Sequence, residues 1–316
     1  MFIVSGAPSP PSSMRGFGLK ALAGLAVLFV TACGQAGPGP EVRRGPPPTP
    51  ALWRVADDDT TIYLFGTIHM LPPGTDWRSA EVDQALARSQ AVYLEADVVS
   101  DPAGQAAMVA RLGLLPPGER LTGRLTAEQT SQLRVAAGRL GLSMDALERM
   151  QPWYAAVVIA NQAIVAAGFS TDGGVEAVLR DEARSAGKEM RYLETMESQL
   201  TILADMPADR QAAYLAFTIA DLDDAAANLE QMVSSWFRGD TDGLARVLIE
   251  DDMARLSSLK EALLDRRNAD WARKLAALLK DEPGEFFVAV GAAHLVGPDS
   301  VQEHLKASGI ENARIQ

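Results

Sequence analysis

Two short apolar runs, Thr61-Ile62-Tyr63-Leu64-Phe65 and Phe286-Phe287-Val288-Ala289-Val290, sit far apart in the chain. Neither alternates with polar residues, and both are too short for ordinary helices. Such runs predict strands buried on both faces. After the first, the pattern predicts a helix over 79–89 and a strand over 91–99. In that strand, alternation places Val92, Leu94, Ala96 and Val98 on one face and Tyr93, Glu95 and Asp97 on the other. A Pro/Gly break follows over 112–118. Thr126-Ala127-Glu128-Gln129 reads as a capping box that opens a helix. Pro152 belongs at the first turn of the next helix, which stays apolar until Gly168. A helix over 175–185 leads to a strand over 190–193. The region 207–279 is helical by period, with breaks near Gly239 and Asn268, and a last helix spans 300–308. Strand-rich ends therefore enclose a long helical middle, which predicts a mixed α/β or α+β domain with a long helical insertion. No repeat of 20–50 residues is visible.

The amino-terminal fifty residues have a different character. Arg15 and Lys20 precede an apolar stretch over 21–30, too short to cross a bilayer, and Val30-Thr31-Ala32-Cys33 supplies small residues ahead of the chain's single cysteine. This segment reads as a signal peptide over 1–32 and resembles the lipobox of bacterial lipoproteins, in which the cysteine carries the lipid. Met14 is a second candidate start. Gly34, rather than aspartate, follows the cysteine, which favours the outer membrane over inner-membrane retention. Residues 33–50 are rich in proline and glycine and read as an extended tether, leaving 51–316 as the globular domain. The expected location is the cell envelope, with the domain facing the periplasm.

With 47% hydrophobic residues in 316, the chain has ample material for a core. Its formal net charge is −12, and the only charges ahead of Cys33 are cationic, so a chain beginning there is more acidic still. With no basic patch either, this balance excludes nucleic acid as a partner. A lone cysteine also precludes a disulfide within the chain.

The candidate chemistry starts with histidine. Only three occur, and two end the same phrase: Gly66-Thr67-Ile68-His69 and Gly291-Ala292-Ala293-His294, each following one of the buried strands. Ligands of open α/β sheets bind where strands end, so two imidazoles delivered by similar strand ends suggest one shared site. Glu95 lies near the end of an apolar strand, where a carboxylate is costly unless paired with a buried arginine or bound to metal. Two histidines and one carboxylate suit Zn²⁺, Mn²⁺ or a similar ion with a position open to water. Glu194 ends the strand over 190–193 and follows the same logic. Arg267-Asn268 has two readings: Asn268 caps a helix running to Lys280 with solvated arginines at its entry, or Arg267 faces a carboxylate or a developing oxyanion. Asp97 reads as solvated and His304 as a surface residue. No Gly-x-Ser-x-Gly elbow occurs, which leaves serine or cysteine triads without support.

Taken together, Tyr63-Leu64-Phe65-Gly66-Thr67-Ile68-His69, Tyr93-Leu94-Glu95, Leu193-Glu194-Thr195 with Gln199-Leu200, Arg267-Asn268-x-x-Trp271 and Val290-Gly291-Ala292-Ala293-His294-Leu295 resemble the TraB/PrgY/GumN family. That family includes the Tiki metalloproteases and is distantly similar to erythromycin esterase-like and ChaN-like proteins. Gly174-Val175-Glu176 stands where the family has Gly-Val-Asp. The resemblance implies a mixed central sheet flanked by helices and a divalent-metal hydrolase site using Mn, Co or Zn. By position it makes His69 and His294 the metal-binding pair, Glu95 a ligand or the catalytic carboxylate, and Arg267 and Asn268 supporting residues. The resulting expectation is a lipid-anchored, metal-dependent hydrolase of peptidase type, with Glu95 or Glu194 as proton acceptor. The rivals are a non-enzymatic lipoprotein that captures a peptide or haem-like ligand, and a metal-independent esterase.

Overall fold

The computed structural model describes residues 47–171, 173–250 and 257–316. The signal segment, Cys33 and nearly all of the tether lie outside the described residues. Six strands, β1 (Leu52–Ala56), β2 (Thr60–Thr67), β3 (Ala91–Leu94), β4 (Glu189–Tyr192), β5 (Gly284–Gly291) and β6 (Asn312–Arg314), form one sheet in the order β4-β3-β5-β2-β1-β6. The two apolar runs are its adjacent central strands. β2 and β5 pair in parallel from Thr60↔Gly284 to Thr67↔Gly291, so both Gly-x-x-His phrases leave the sheet side by side. β3 and β4 extend the parallel half, while β1 and β6 add antiparallel strands on the other side. The sheet is mixed, as expected.

Helices cover both faces, which explains why the central strands are apolar throughout. In chain order the longer ones are α1 (Ala80–Arg88), α2 (Pro102–Gly113), α3 (Ala127–Leu140), α4 (Pro152–Ala166), α5 (Val175–Ser185), α6 (Met196–Ala204), α7 (Ala208–Ala220), α8 (Ala225–Phe237), α9 (Arg266–Asp281) and α10 (Val301–Ala307). Tyr63, Phe65, Phe287 and Ala289 face the helical insertion, packing with Trp77, Trp153 and Trp236. Ile62, Leu64, Phe286 and Val288 face the other way, onto Trp271 and Leu275 of α9 and Val301 of α10. The insertion is thus the layer on one face, and α9 and α10 form the layer on the other.

Local signals act where the sequence places them. Thr126 and Gln129 make the reciprocal capping box of α3, and Pro152 occupies the first turn of α4. Two expectations change. The strand over 91–99 stops at Leu94, because the Asp97 side chain accepts the N–H groups of Val99 and Ser100 and turns the chain. The alternation assigned to Glu95 and Asp97 therefore does not apply. The turn feeds α2, an additional helix whose cap is Asp101 followed by Pro102. The second change concerns Asn268. It caps nothing, lying inside α9 with its side chain buried.

Candidate active site

All four parallel strands end at one edge, and each contributes a polar side chain there. His69 follows β2, Glu95 follows β3, Glu194 follows β4, and His294 sits on a 3-10 turn (Ala292–Leu295) directly after β5. The turn fits because Gly66 has no side chain: a Cβ there would come within 3.2 Å of the Ala292 Cα. The Gly66 carbonyl accepts the indole N–H of Trp236 at 2.7 Å, pinning the first strand end to α8. From the opposite face, the first turn of α9 lays Arg267 and Asn268 across these ends.

Arg267 is the hub. Its Nη2 donates to Glu95 Oε2 at 2.6 Å and to Glu194 Oε1 at 2.5 Å, and Nε reaches Glu194 Oε1 at 3.0 Å. Its Nη1 donates to the Leu263 carbonyl at 2.8 Å and lies 3.1 Å from His294 Nε2. The guanidinium also stacks 4.6 Å from the centre of the Trp271 ring, one helical turn along α9. Of the two readings of Arg267, the one that faces it to a carboxylate describes the structure. Gln199 of α6 bridges the acids, donating to Glu95 at 2.9 Å and Glu194 at 2.7 Å.

These contacts set the charge states. Burial raises the Glu95 carboxyl, but the Arg267 guanidinium, both histidines and the Gly291 N–H overcome it and hold the group at about 2. Glu95 is a fixed negative charge. Glu194 moves the other way: burial pushes it above its ordinary value despite Arg267. All the hydrogen bonds of its carboxylate among the described residues fall on Oε1. Burial and then the facing guanidinium drive His294 down to about 3, so its ring is neutral. Because Arg267 only donates, Nε2 carries the lone pair and Nδ1–H donates to Asn268 Oδ1 at 2.5 Å. The Asn268 amide is oriented in turn by donating to the Asp299 carbonyl at 2.8 Å.

His69 is the counterpart. Its Nδ1 lies 2.6 Å from Glu176 Oε1, which also accepts the Thr67 hydroxyl. Burial lowers the ring's pKa, but the Glu176 carboxylate outweighs it and raises the value to about 9. Glu176 reaches His69 because α5 starts against the chain: Val175 N–H donates to the Ile68 carbonyl at 3.0 Å, and Gly174 passes so close that a Cβ there would fall 2.0 Å from the His69 carbonyl oxygen. Sequence reasoning noticed the Gly174-Val175-Glu176 string without giving Glu176 a role. Trp271, whose ring centre lies 4.4 Å from that of His294, stood in the Arg267-Asn268-x-x-Trp271 motif without a role, and Trp236 was missed. Asp97 lies at the pocket rim, its side chain held by the Ser100 hydroxyl and the backbone turn.

A pocket of about 190 Å³ opens beside the cluster, with His69, Glu95, Gln199 and Arg267 among its polar walls. Arg267 and Glu194 also line a wider cavity of about 840 Å³ beyond α6. Metal-ligating histidines usually carry their other ring nitrogen on a carboxylate or carbonyl. Both imidazoles here do so, on Glu176 and Asn268, and these donor types fit a divalent cation. Arg267, however, engages the His294 lone pair, and both Glu95 oxygens carry N–H donors. In this arrangement no three His, Cys, Asp or Glu side chains converge around an ion position among the described residues.

The fold and site define an α/β protein with a buried, charge-paired centre at the carboxyl ends of its parallel strands. The chain belongs to the TraB/PrgY/gumN family, whose description matches residues 51–314. It is 26% identical to YbaP of Escherichia coli (strain K12), named an uncharacterized protein, over 81% of this chain and 92% of that one. It is 24% identical to Metalloprotease TIKI1 of Danio rerio, over 82% of this chain and 62% of the fish protein. Metalloprotease TIKI2 of the same fish is 25% identical, over 79% and 57%. No solved structure matches the chain.

Proposed function

We propose that this protein is a divalent-metal-dependent hydrolase of peptidase type, held to the cell envelope by lipid on Cys33. One observation carries the reading. Two imidazoles from neighbouring strand ends are each fixed through Nδ1, by Glu176 and by Asn268, beside an ionised Glu95. The two distant relatives named metalloproteases support the same chemistry. His69, His294 and Glu95 would hold the ion, with Arg267 giving up its contact to His294 and His69 giving up its second ring proton, because each imidazole needs a free lone pair to bind it. When bound, the ion makes water a nucleophile at neutral pH and polarises a carbonyl.

The remaining roles fall to the chain's own groups. Glu194 is the better proton acceptor of the two acids, since its carboxyl is raised towards the working range while Glu95 stays ionised. Arg267 offers guanidinium N–H groups to negative charge developing on the substrate oxygen. Gly34 after Cys33 supports an outer-membrane location facing the periplasm, and the net charge of −12 speaks against nucleic acid.

A second reading, metal-independent esterase chemistry, is favoured by the 3.1 Å contact between Arg267 and His294 Nε2. The deciding experiment is the metal content of the full chain beside the His69→Ala/His294→Ala variant. Near-stoichiometric Mn, Co or Zn in the wild type, absent from a variant with unchanged circular dichroism, is the expected result. No metal in either after reconstitution refutes the metal-dependent reading: metal-free turnover then selects the esterase, and ligand retention without turnover selects a binding lipoprotein.

A further inference from the structure

The pocket beside the cluster has a composition that the hydrolase reading leaves unused. Its walls are mainly apolar, from Leu94, Met196, Leu200, Leu203 and Leu263, and its volume of about 190 Å³ is below the ~300 Å³ typical of drug-sized ligand sites. A space of that size suits one large side chain rather than a length of polypeptide.

Three carboxylates line it, and each is engaged. Glu95 holds Arg267, Gln199 and the Gly291 N–H; Glu176 takes His69 and Thr67; Asp97 takes Ser100 and the backbone of its own turn. The cations differ. Arg267 is fully bonded, whereas Arg180 spends only Nε, on Asp181 at 2.9 Å. Its two terminal nitrogens donate to nothing among the described residues, although the side chain is only 17% exposed. A half-buried guanidinium whose fork is left unused by the described residues, beside apolar walls, is built for a planar carboxylate.

Its position selects which carboxylate. Arg180 stands four residues after Glu176 on α5, so both project from one face about 6 Å apart along the helix axis. Glu176 holds His69, which marks the level of the reactive centre. Consecutive residues of an extended peptide are about 3.8 Å apart at Cα. A carboxylate on Arg180 therefore leaves room for about one residue before the chain reaches His69.

Resting on the hydrolase reading above, we propose that the pocket captures the carboxy-terminal residue of a peptide, with its carboxylate on Arg180 and an apolar side chain against Leu94, Leu200 and Leu263. The reaction then releases one residue at a time. The last amide C–N bond breaks, water supplies hydroxyl to the acyl carbon and a proton to the departing amine, and a free apolar amino acid leaves.

The test compares one reporter peptide ending in Leu as the free acid, the same peptide as its carboxy-terminal amide, and a version ending in Asp. It uses the full metal-loaded chain and its Arg180→Gln variant. Calorimetry with N-acetyl-leucine, N-acetyl-leucinamide and octanoate reads binding without turnover. The acid should show a KM about 10- to 100-fold below the amide in the wild type, from its charge-assisted bonds. Arg180→Gln should erase that difference. Cleavage of acid and amide with equal KM overturns the proposal while leaving the hydrolase intact, and so does preference for Asp. Octanoate binding as tightly as N-acetyl-leucine overturns the peptide assignment. Binding of N-acetyl-leucine over its amide without any turnover upholds the pocket and removes the hydrolase reading.

Discussion

Replacing Arg267 with methionine tests the electrostatic account of the site without requiring a substrate. The side chain is buried and bonded to two carboxylates, an imidazole, a backbone carbonyl and a tryptophan face. Methionine keeps much of the volume and removes the charge. Two buried acids, bridged only by Gln199, are then left facing each other. The wild-type environment holds Glu95 at about 2 against an ordinary 4.5, which corresponds to roughly 3 kcal/mol of stability at neutral pH. Removing one partner of a buried ion pair generally costs about 3–5 kcal/mol, so the two routes agree on scale.

The sign with pH follows from the same shift. In the wild type, Glu95 has a lowered folded pKa, so its contribution is present above about 4.5 and fades as pH falls towards 2. In Arg267→Met, burial and the neighbouring acid raise both carboxyls above the unfolded value, so the variant gains stability as the pH drops from 7 to 5. Urea unfolding of chelator-treated protein at pH 7 and pH 5 reads both effects. The expected deficit is about 3–5 kcal/mol at pH 7, visibly smaller at pH 5, and largely reversed by adding Glu95→Gln and Glu194→Gln. A deficit under 1 kcal/mol at pH 7, or one that does not change with pH, would falsify the claim that Arg267 neutralises these acids.

Two further outcomes follow from individual contacts. Glu194→Gln should lower kcat by about 10²–10⁴ and remove the acid limb of the pH–rate profile. That limb should have its midpoint above 4.5, since burial raises Glu194 and activity is lost as pH falls through its folded value; an unchanged limb assigns the proton to another group. Gly174→Ala drives a Cβ into the His69 carbonyl, so thermal unfolding should show a loss of about 1–3 kcal/mol, and a neutral substitution would mean that α5 does not hold His69 as described.

How far the site was legible in the sequence depends on which element carries each residue. His69, His294 and Glu194 are strand-end residues, and Glu95 becomes one once β3 is seen to stop at Leu94. Apolar runs ending in glycine or polar residues mark that position in one dimension, and parallel pairing then fixes them in space: Thr67 opposite Gly291 brings the two phrases together. The helix-borne residues are different. Asn268 looks like a cap because asparagine is favoured at helix N-caps, and only the approach of the β5 turn shows that its amide orients His294 instead. Glu176 is one acid in the first turn of an amphipathic helix, a place where acids are common for the helix's own sake. Its role depends on the contact of Gly174 with the His69 carbonyl, a tertiary fact with no local sequence signal.

The charge arrangement explains why the helices matter as much as the strands. Strand ends alone would bring two carboxylates and two imidazoles into one low-dielectric crevice, where the acids repel and neither imidazole has a fixed orientation. Arg267 resolves the first problem by joining Glu95 to Glu194. Asn268 and Glu176 resolve the second by engaging Nδ1 of each ring. Burial acting against these contacts leaves one acid locked and the other raised, and one imidazole neutral and the other charged. Pairs of like groups driven apart in this way are what acid–base chemistry at neutral pH requires, and α5 and α9 create that asymmetry at an edge where the strands alone supply near-equivalent groups.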